Sequence, residues 1–153
     1  MAVLIALSYI GSLIKITGTI AFDSFPAFFG ALALGGVYGG IIGFLGHLFT
    51  AFLSGFPFTL PIHLVIASMM FISVYLFGIL ARKTNIFAAI VVAIIMNGPV
   101  SLFVSAYFMA AGAGIKAIMG IFISLVLILS LASAINVIAA SLVYSRVKEH
   151  INL

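Results

Sequence analysis

Eight residues carry the side chains with which this chain could recognise or act on another molecule: Phe22, Asp23, His47, Thr50, Ser54, Phe56, His63 and Asn97. Two histidines and an aspartate match a metal-ligand set in type. They come from three separate parts of the chain with no short-range spacing between them, so no metal site is expected. Serine and histidine are both present, but no motif puts a serine on a tight turn beside a base. No catalytic residue is therefore assigned, no cofactor is implied, and the chain is expected not to be an enzyme. Binding remains. His47, Thr50 and Ser54 fall at i, i+3 and i+7, on one face of a helix. His47 lies about ten residues, roughly 15 Å, into its apolar segment. Polar groups at that depth of a bilayer are costly and turn toward the interior of a bundle. His63 follows Pro61 at the start of the next segment, and Asn97 precedes Gly98-Pro99 in the middle of another. Proline has no N–H, so it kinks the helix and frees a carbonyl near Asn97. Asp23 is the only acid outside the carboxyl tail.

Other readings of these residues stay open. Thr50 and Ser54 are equally served by bonds to their own helix carbonyls. The phenylalanines Phe22, Phe25, Phe28, Phe29, Phe56 and Phe58 offer stacking faces and a lid, or contact with lipid.

The elements that must position these groups follow from composition. The chain has 153 residues, 66% hydrophobic and 5% charged, with a net charge of +4. A soluble domain needs about a quarter of its residues charged to cover its surface. Lipid is the solvent this composition fits. The cations are scattered beside apolar stretches and form no basic face, so no nucleic-acid partner is expected. With no cysteine, disulfides and thiolate chemistry are excluded. The first 16 residues lack a basic leading region and a cleavage site, and are expected to be a retained helix.

Glycine, proline and charge divide the chain into six apolar segments: 1–16, 24–34, 37–53, 60–80, 85–109 and 116–144. The expected fold is all-α, an integral membrane bundle of six transmembrane helices forming a single membrane domain over residues 1–153. A helix needs about 20 residues to cross about 30 Å of hydrocarbon. The last three segments meet that length, the first and third are marginal, and the second is too short to cross unaided. Arg82, Lys83, Arg146 and Lys148 assign the turn they occupy and the tail to the cytoplasm. Their charges leave the side of the amino terminus open. Under six spans Asp23, Ser54 and His63 lie near the outer surface, with His47, Thr50 and Asn97 deeper. Asn136 falls about 20 residues into the last span, near the cytoplasmic end, and outside the site. No Walker-type glycine loop occurs, so any ATP-driven motor must belong to a partner.

Small residues one turn apart suit close helix packing. Gly36 and Gly40, Gly39 and Gly43, and Ala2 and Ala6 all have this spacing. The alanine pair, the stretch Phe22-Asp-Ser-Phe-Pro-Ala-Phe-Phe-Gly-Ala-Leu, the run Gly46-His-Leu-Phe-Thr-Ala-Phe-Leu-Ser-Gly-Phe-Pro and Leu60-Pro-Ile-His63 together carry a resemblance. The chain resembles the substrate-binding S components of energy-coupling factor vitamin transporters, over nearly its whole length. It looks like the subgroup for α-ribazole, a benzimidazole nucleoside salvaged for cobalamin. The resemblance implies a multi-pass protein of the cell membrane that captures a vitamin or precursor outside and topples to deliver it inward. It implies as partners a transmembrane coupling subunit, contacted through Ala2 and Ala6, and two cytoplasmic ATPase subunits. It also implies a pocket on the outer side, closed by the loops Thr17–Asp23, Ser54–Thr59 and Ala110–Ile115. An S component for another vitamin (pantothenate or an intact corrinoid), an intramembrane enzyme using His47, His63 and Asp23, and a homo-oligomeric pore are the competing readings.

Overall fold

The structure, a computed structural model, describes residues 1–17 and 20–151. Residues 18 and 19 of the expected Thr17–Asp23 loop, and the last two of the tail, lie outside the described residues. Helix α1 (Ala2–Leu13) leads into a short antiparallel hairpin, β1 (Lys15–Thr17) and β2 (Ile20–Ala21). Then follow α2 (Phe25–Ala33), α3 (Gly36–Leu53), α4 (Leu60–Lys83), α5 (Ile86–Ile95), α6 (Ser101–Met109) and α7 (Ile115–Ile151). A π-helical turn, Met96–Val100, joins α5 to α6 into one rod, so the helices form six rods. Four are long and apolar enough to cross a membrane: α3, α4, the α5–α6 rod and α7. The other two, α1 with 12 residues and α2 with 9, span only about 18 and 14 Å. The hairpin was not expected from an all-α pattern. It forms because α1 stops short and the chain must turn back within the bundle to start α2.

Local chemistry sets the boundaries. Pro26 and Pro61 stand in the first turns of α2 and α4, where a missing N–H costs nothing. Asn85 caps α5, its Oδ1 accepting the Ala88 N–H at 2.8 Å. Gly35, at φ +114°, makes the reversal between α2 and α3 that a Cβ would oppose. Arg82 comes within 3.5 Å of the Leu32 carbonyl at the carboxyl end of α2, where a cation is favoured.

The glycines of α3 serve two neighbours at once. A Cβ on Gly39 would lie 2.6 Å from the Cβ of Ala31 in α2, and one on Gly40 would meet the Phe71 ring of α4 at 2.8 Å. Gly36 meets α4 in the same way, at the Tyr75 carbonyl. Beneath these crossings lies the main apolar core, with Phe28, Ile42, Val74, Phe77, Ala93 and Val137 buried. Phe28 and Phe77 meet edge to face at 5.3 Å. Outside it, Ile123, Leu127, Leu131 and Leu142 form an exposed apolar row along α7. Burial by protein is absent there, and lipid is the solvent that suits it. The protein is thus a multi-pass helical membrane protein.

α4 and α7 run the same way, with the α5–α6 rod between them running back. Arg82–Lys83 and Arg146–His150 therefore share one end, the basic end, and the turns after α3 and α6 share the other. α1 runs parallel to α3, with Leu4 beside Gly30 and Ile42, and Ser8 beside Gly46. Met1 consequently starts at the basic end.

Candidate functional site

Above the core, toward the end opposite the basic one, a cavity of about 250 Å³ opens between α3, α4, α6, α7 and the start of α2. It exists because α1 and α2 are short. α2 begins at mid-bundle and runs to the basic end, so the two residues before it, Asp23 and Ser24, both 4% exposed, stand at the floor of the hollow and no helix crosses it there.

Asp23 is held by its neighbours. Thr50 Oγ1 donates to Asp23 Oδ2 at 2.6 Å, and His47 Nδ1 stands 4.0 Å from the same oxygen. His47 Nε2 and His63 Nδ1 are 3.2 Å apart, so one ring donates and the other accepts. The far nitrogen of His63, Nε2, is buried without a hydrogen-bond partner among the described residues. Phe56 and Phe58 pack on the His63 ring at 5.7 and 6.0 Å. Asp23, Thr50, His47 and His63 thus form one contiguous polar string, of which Asp23 and His47 touch the cavity.

Asn97 arrives from the other side. It sits in the π-helical turn that contains Pro99, where Ser101 N–H reaches back five residues to the Met96 carbonyl. Wide turns of this kind recur where a helix must re-aim a side chain. Asn97 Nδ2 donates to Ser133 Oγ at 3.2 Å, and Gly98 lets α7 approach, its Cβ position lying 3.0 Å from Ser130 Oγ.

Of the eight residues singled out in the sequence, Asp23, His47 and Asn97 line the cavity. Thr50 and His63 stand directly behind them. Three stand apart from the lining. Ser54 donates to the Thr50 carbonyl of its own helix. Phe22 is half-buried, its N–H donating to the Ile14 carbonyl. Phe56 turns onto Phe52 and His63 from a backbone at φ 49°, leaving Phe58 as the aromatic ring on the cavity.

Two depth assignments are corrected. Asp23 is at the level of Gly46 and Thr50, as deep as the threonine it was expected to lie above, because α1 and the hairpin return the chain to mid-bundle. Asn136 lines the cavity and is 1% exposed. Depth counted from Lys116 misplaces it because α7, at 37 residues and about 55 Å, outruns the bilayer. Its first turns pack with Ala106 and Ala110 in a separate small cluster beyond the cavity. Ser24, Ser101, Ser105 and Ser133 also line the cavity. A signal for two of them was present: Asn97, Ser101 and Ser105 repeat every four residues, one helix face.

Among the described residues the lining contains no lysine or arginine, and no group of three metal-binding side chains is found. Hydrogen bonding and apolar contact are what this site offers.

A family model described as "ECF transporter, substrate-specific component" matches residues 1–147. No curated protein and no solved structure matches the chain.

Proposed function

The chain belongs to the substrate-specific component family of ECF transporters, and from that premise we propose that its cavity captures α-ribazole for uptake. Members of this family are transport subunits, not enzymes. They bind a small-molecule substrate and work with an ECF module of membrane and ATPase subunits. In the proposed cycle the basic end faces the cytoplasm, the cavity opens outside the cell, and α1 and α2 complete a bundle of six helices in the membrane. Capture is followed by reorientation that delivers the ligand inward.

The observation that carries the substrate assignment is a mostly apolar lining with a few polar groups, in which Asp23 is the one acid and no lysine or arginine stands among the described lining residues. Asp23, His47, Asn97 and the serines provide hydrogen bonds, while Phe58, Ile66, Met70 and Leu129 provide apolar wall. An anionic vitamin such as pantothenate would bury its carboxylate beside Asp23 with no lysine or arginine among the described lining residues to pair it, which is costly. An intact corrinoid is several times larger than a hollow of about 250 Å³. A neutral nucleoside fits on both counts. Stacking of a base contributes about 1–3 kcal/mol. Each hydrogen bond to a charged partner adds about 1.5–3 kcal/mol. A few such contacts offset the cost of association.

The exposed Ala2 and Ala6 on α1 are the proposed contact with the coupling subunit. Both lie on the outer surface of the bundle, away from the cavity, so docking and capture use different faces.

Calorimetric titration of the purified protein with α-ribazole, pantothenate and an intact corrinoid tests the assignment. One-to-one binding of α-ribazole alone supports it. Preference for either of the others, or no binding at all, overturns it.

A further inference from the structure

The polar groups of the cavity are not spread evenly along its depth. α6 rises from Ser101 to Met109 toward the mouth, and α7 descends from Leu125 to Asn136 toward the floor, a drop of about 16 Å. Near the mouth the lining is Phe58, Met109 and Leu125; at the floor it is Asp23, Asn97, Ser133 and Asn136. Val137 and Ala140, next along α7, already belong to the apolar core that seals the cavity from the basic end.

Asn136 adds a second, independent observation. Its Nδ2 donates to two backbone carbonyls, Ala132 at 2.8 Å and Ala21 at 3.4 Å. Two acceptors on one side fix which end of the amide is nitrogen. Oδ1 is left buried with no hydrogen-bond partner among the described residues. A buried acceptor without a donor is destabilising, and in a ligand site it is the ligand that can supply one. The Asp23 carboxylate, which lines the same cavity, accepts from Thr50 and from the backbone N–H groups of Asp23 and Ser24, and has room for one more donor. The floor therefore asks for hydrogen-bond donors, and the mouth asks for an apolar plane.

We propose that the ligand seats hydroxyl end first: sugar hydroxyls reach Asn136 Oδ1 and Asp23 at the floor while the ring system stays at the mouth against Phe58. Asn136 is then the residue that distinguishes a nucleoside from its bare base. This rests on the nucleoside reading above, and adds to it the direction of entry and the selecting residue.

The test titrates the full-length protein with α-ribazole and with its sugar-free benzimidazole base. Asn136→Leu keeps the branched heavy-atom outline and removes the acceptor, together with the donor to Ala21 and Ala132. It is expected to weaken α-ribazole about tenfold and the base less than about twofold, as fits the loss of one hydrogen bond. Phe58→Ala is expected to weaken both ligands by similar factors. Should Asn136→Leu fail to fold, Asn136→Ala, which removes the same acceptor without adding apolar bulk, must show the same selectivity. Equal loss for nucleoside and base in the floor variant, or no loss for either, overturns the orientation while leaving the capture reading intact. If the unaltered protein binds no α-ribazole, the capture reading falls and the orientation falls with it.

Discussion

The contact between α2 and α3 controls the site from a distance, and Gly39→Ala measures that control. The Cβ would sit 2.6 Å from Ala31 Cβ and 2.7 Å from the Ala31 Cα and N. Carbon atoms in ordinary contact are about 3.5–4.0 Å apart, so α2 must retreat by about 1 Å. Two of the obstructing atoms are backbone, so no side-chain rotation relieves the clash. Overpacking of this kind costs about 1–3 kcal/mol of stability. The consequence for binding is larger than the methyl group suggests. α2 carries Asp23 and Ser24 at its start, and the 2.6 Å bond from Thr50 to Asp23 ties that start to α3. A retreat of about 1 Å takes that bond beyond hydrogen-bonding distance. Asp23 would lose its fixed position at the cavity floor, and about 1.5–3 kcal/mol of charge-assisted bonding with it. Thermal unfolding in detergent and ligand titration together check the chain of reasoning. Both the midpoint and the affinity should fall. Gly120→Ala is the matched control, since nothing lies within 4 Å of its Cβ position. Unchanged affinity in Gly39→Ala, with the control also unchanged, would refute the claim that the α2–α3 crossing sets the position of Asp23.

Three further outcomes are expected. Asp23→Ala and Asn97→Ala should each weaken ligand binding at least about tenfold with normal expression, because each removes a buried hydrogen-bonding group at the cavity; unchanged affinity in both removes them from the site. Ala2→Trp with Ala6→Trp should abolish uptake by cells yet spare ligand binding, and loss of neither refutes the docking role. Asn85→Ala should lower stability by about 1 kcal/mol through loss of the α5 cap. Its ligand affinity should stay constant, since Asn85 lies at the basic end, away from the cavity.

Much of the protein was legible before any coordinates. The apolar excess, the six segments and their breaks are local properties, and the helix ends fall near them: α3 starts at Gly36, α4 at Leu60 and α5 after Asn85. Buried polar groups are also locally visible, because Asp23, His47 and Asn97 stand out in surroundings that cannot solvate them. The glycine spacing in α3 announced close approach. It left open the partners, which turn out to be α2 on one side and α4 on the other.

What the tertiary structure decided was convergence. Whether a hydroxyl faces a ligand or its own carbonyl depends on what stands opposite: Thr50 and Ser54 share a helix face, yet Thr50 finds Asp23 and Ser54 does not line the cavity. Depth along a helix is local only if the helix enters the bilayer where its apolar run begins. α7 begins beyond the bundle, so Asn136 descends to the cavity floor and meets Ala21, 115 residues earlier in the chain. Composition and spacing are carried by neighbours in sequence, and they determined that this is a membrane helix bundle with polar residues inside it. Register and crossing between helices are carried by long-range packing, and only they gathered those residues around one hollow.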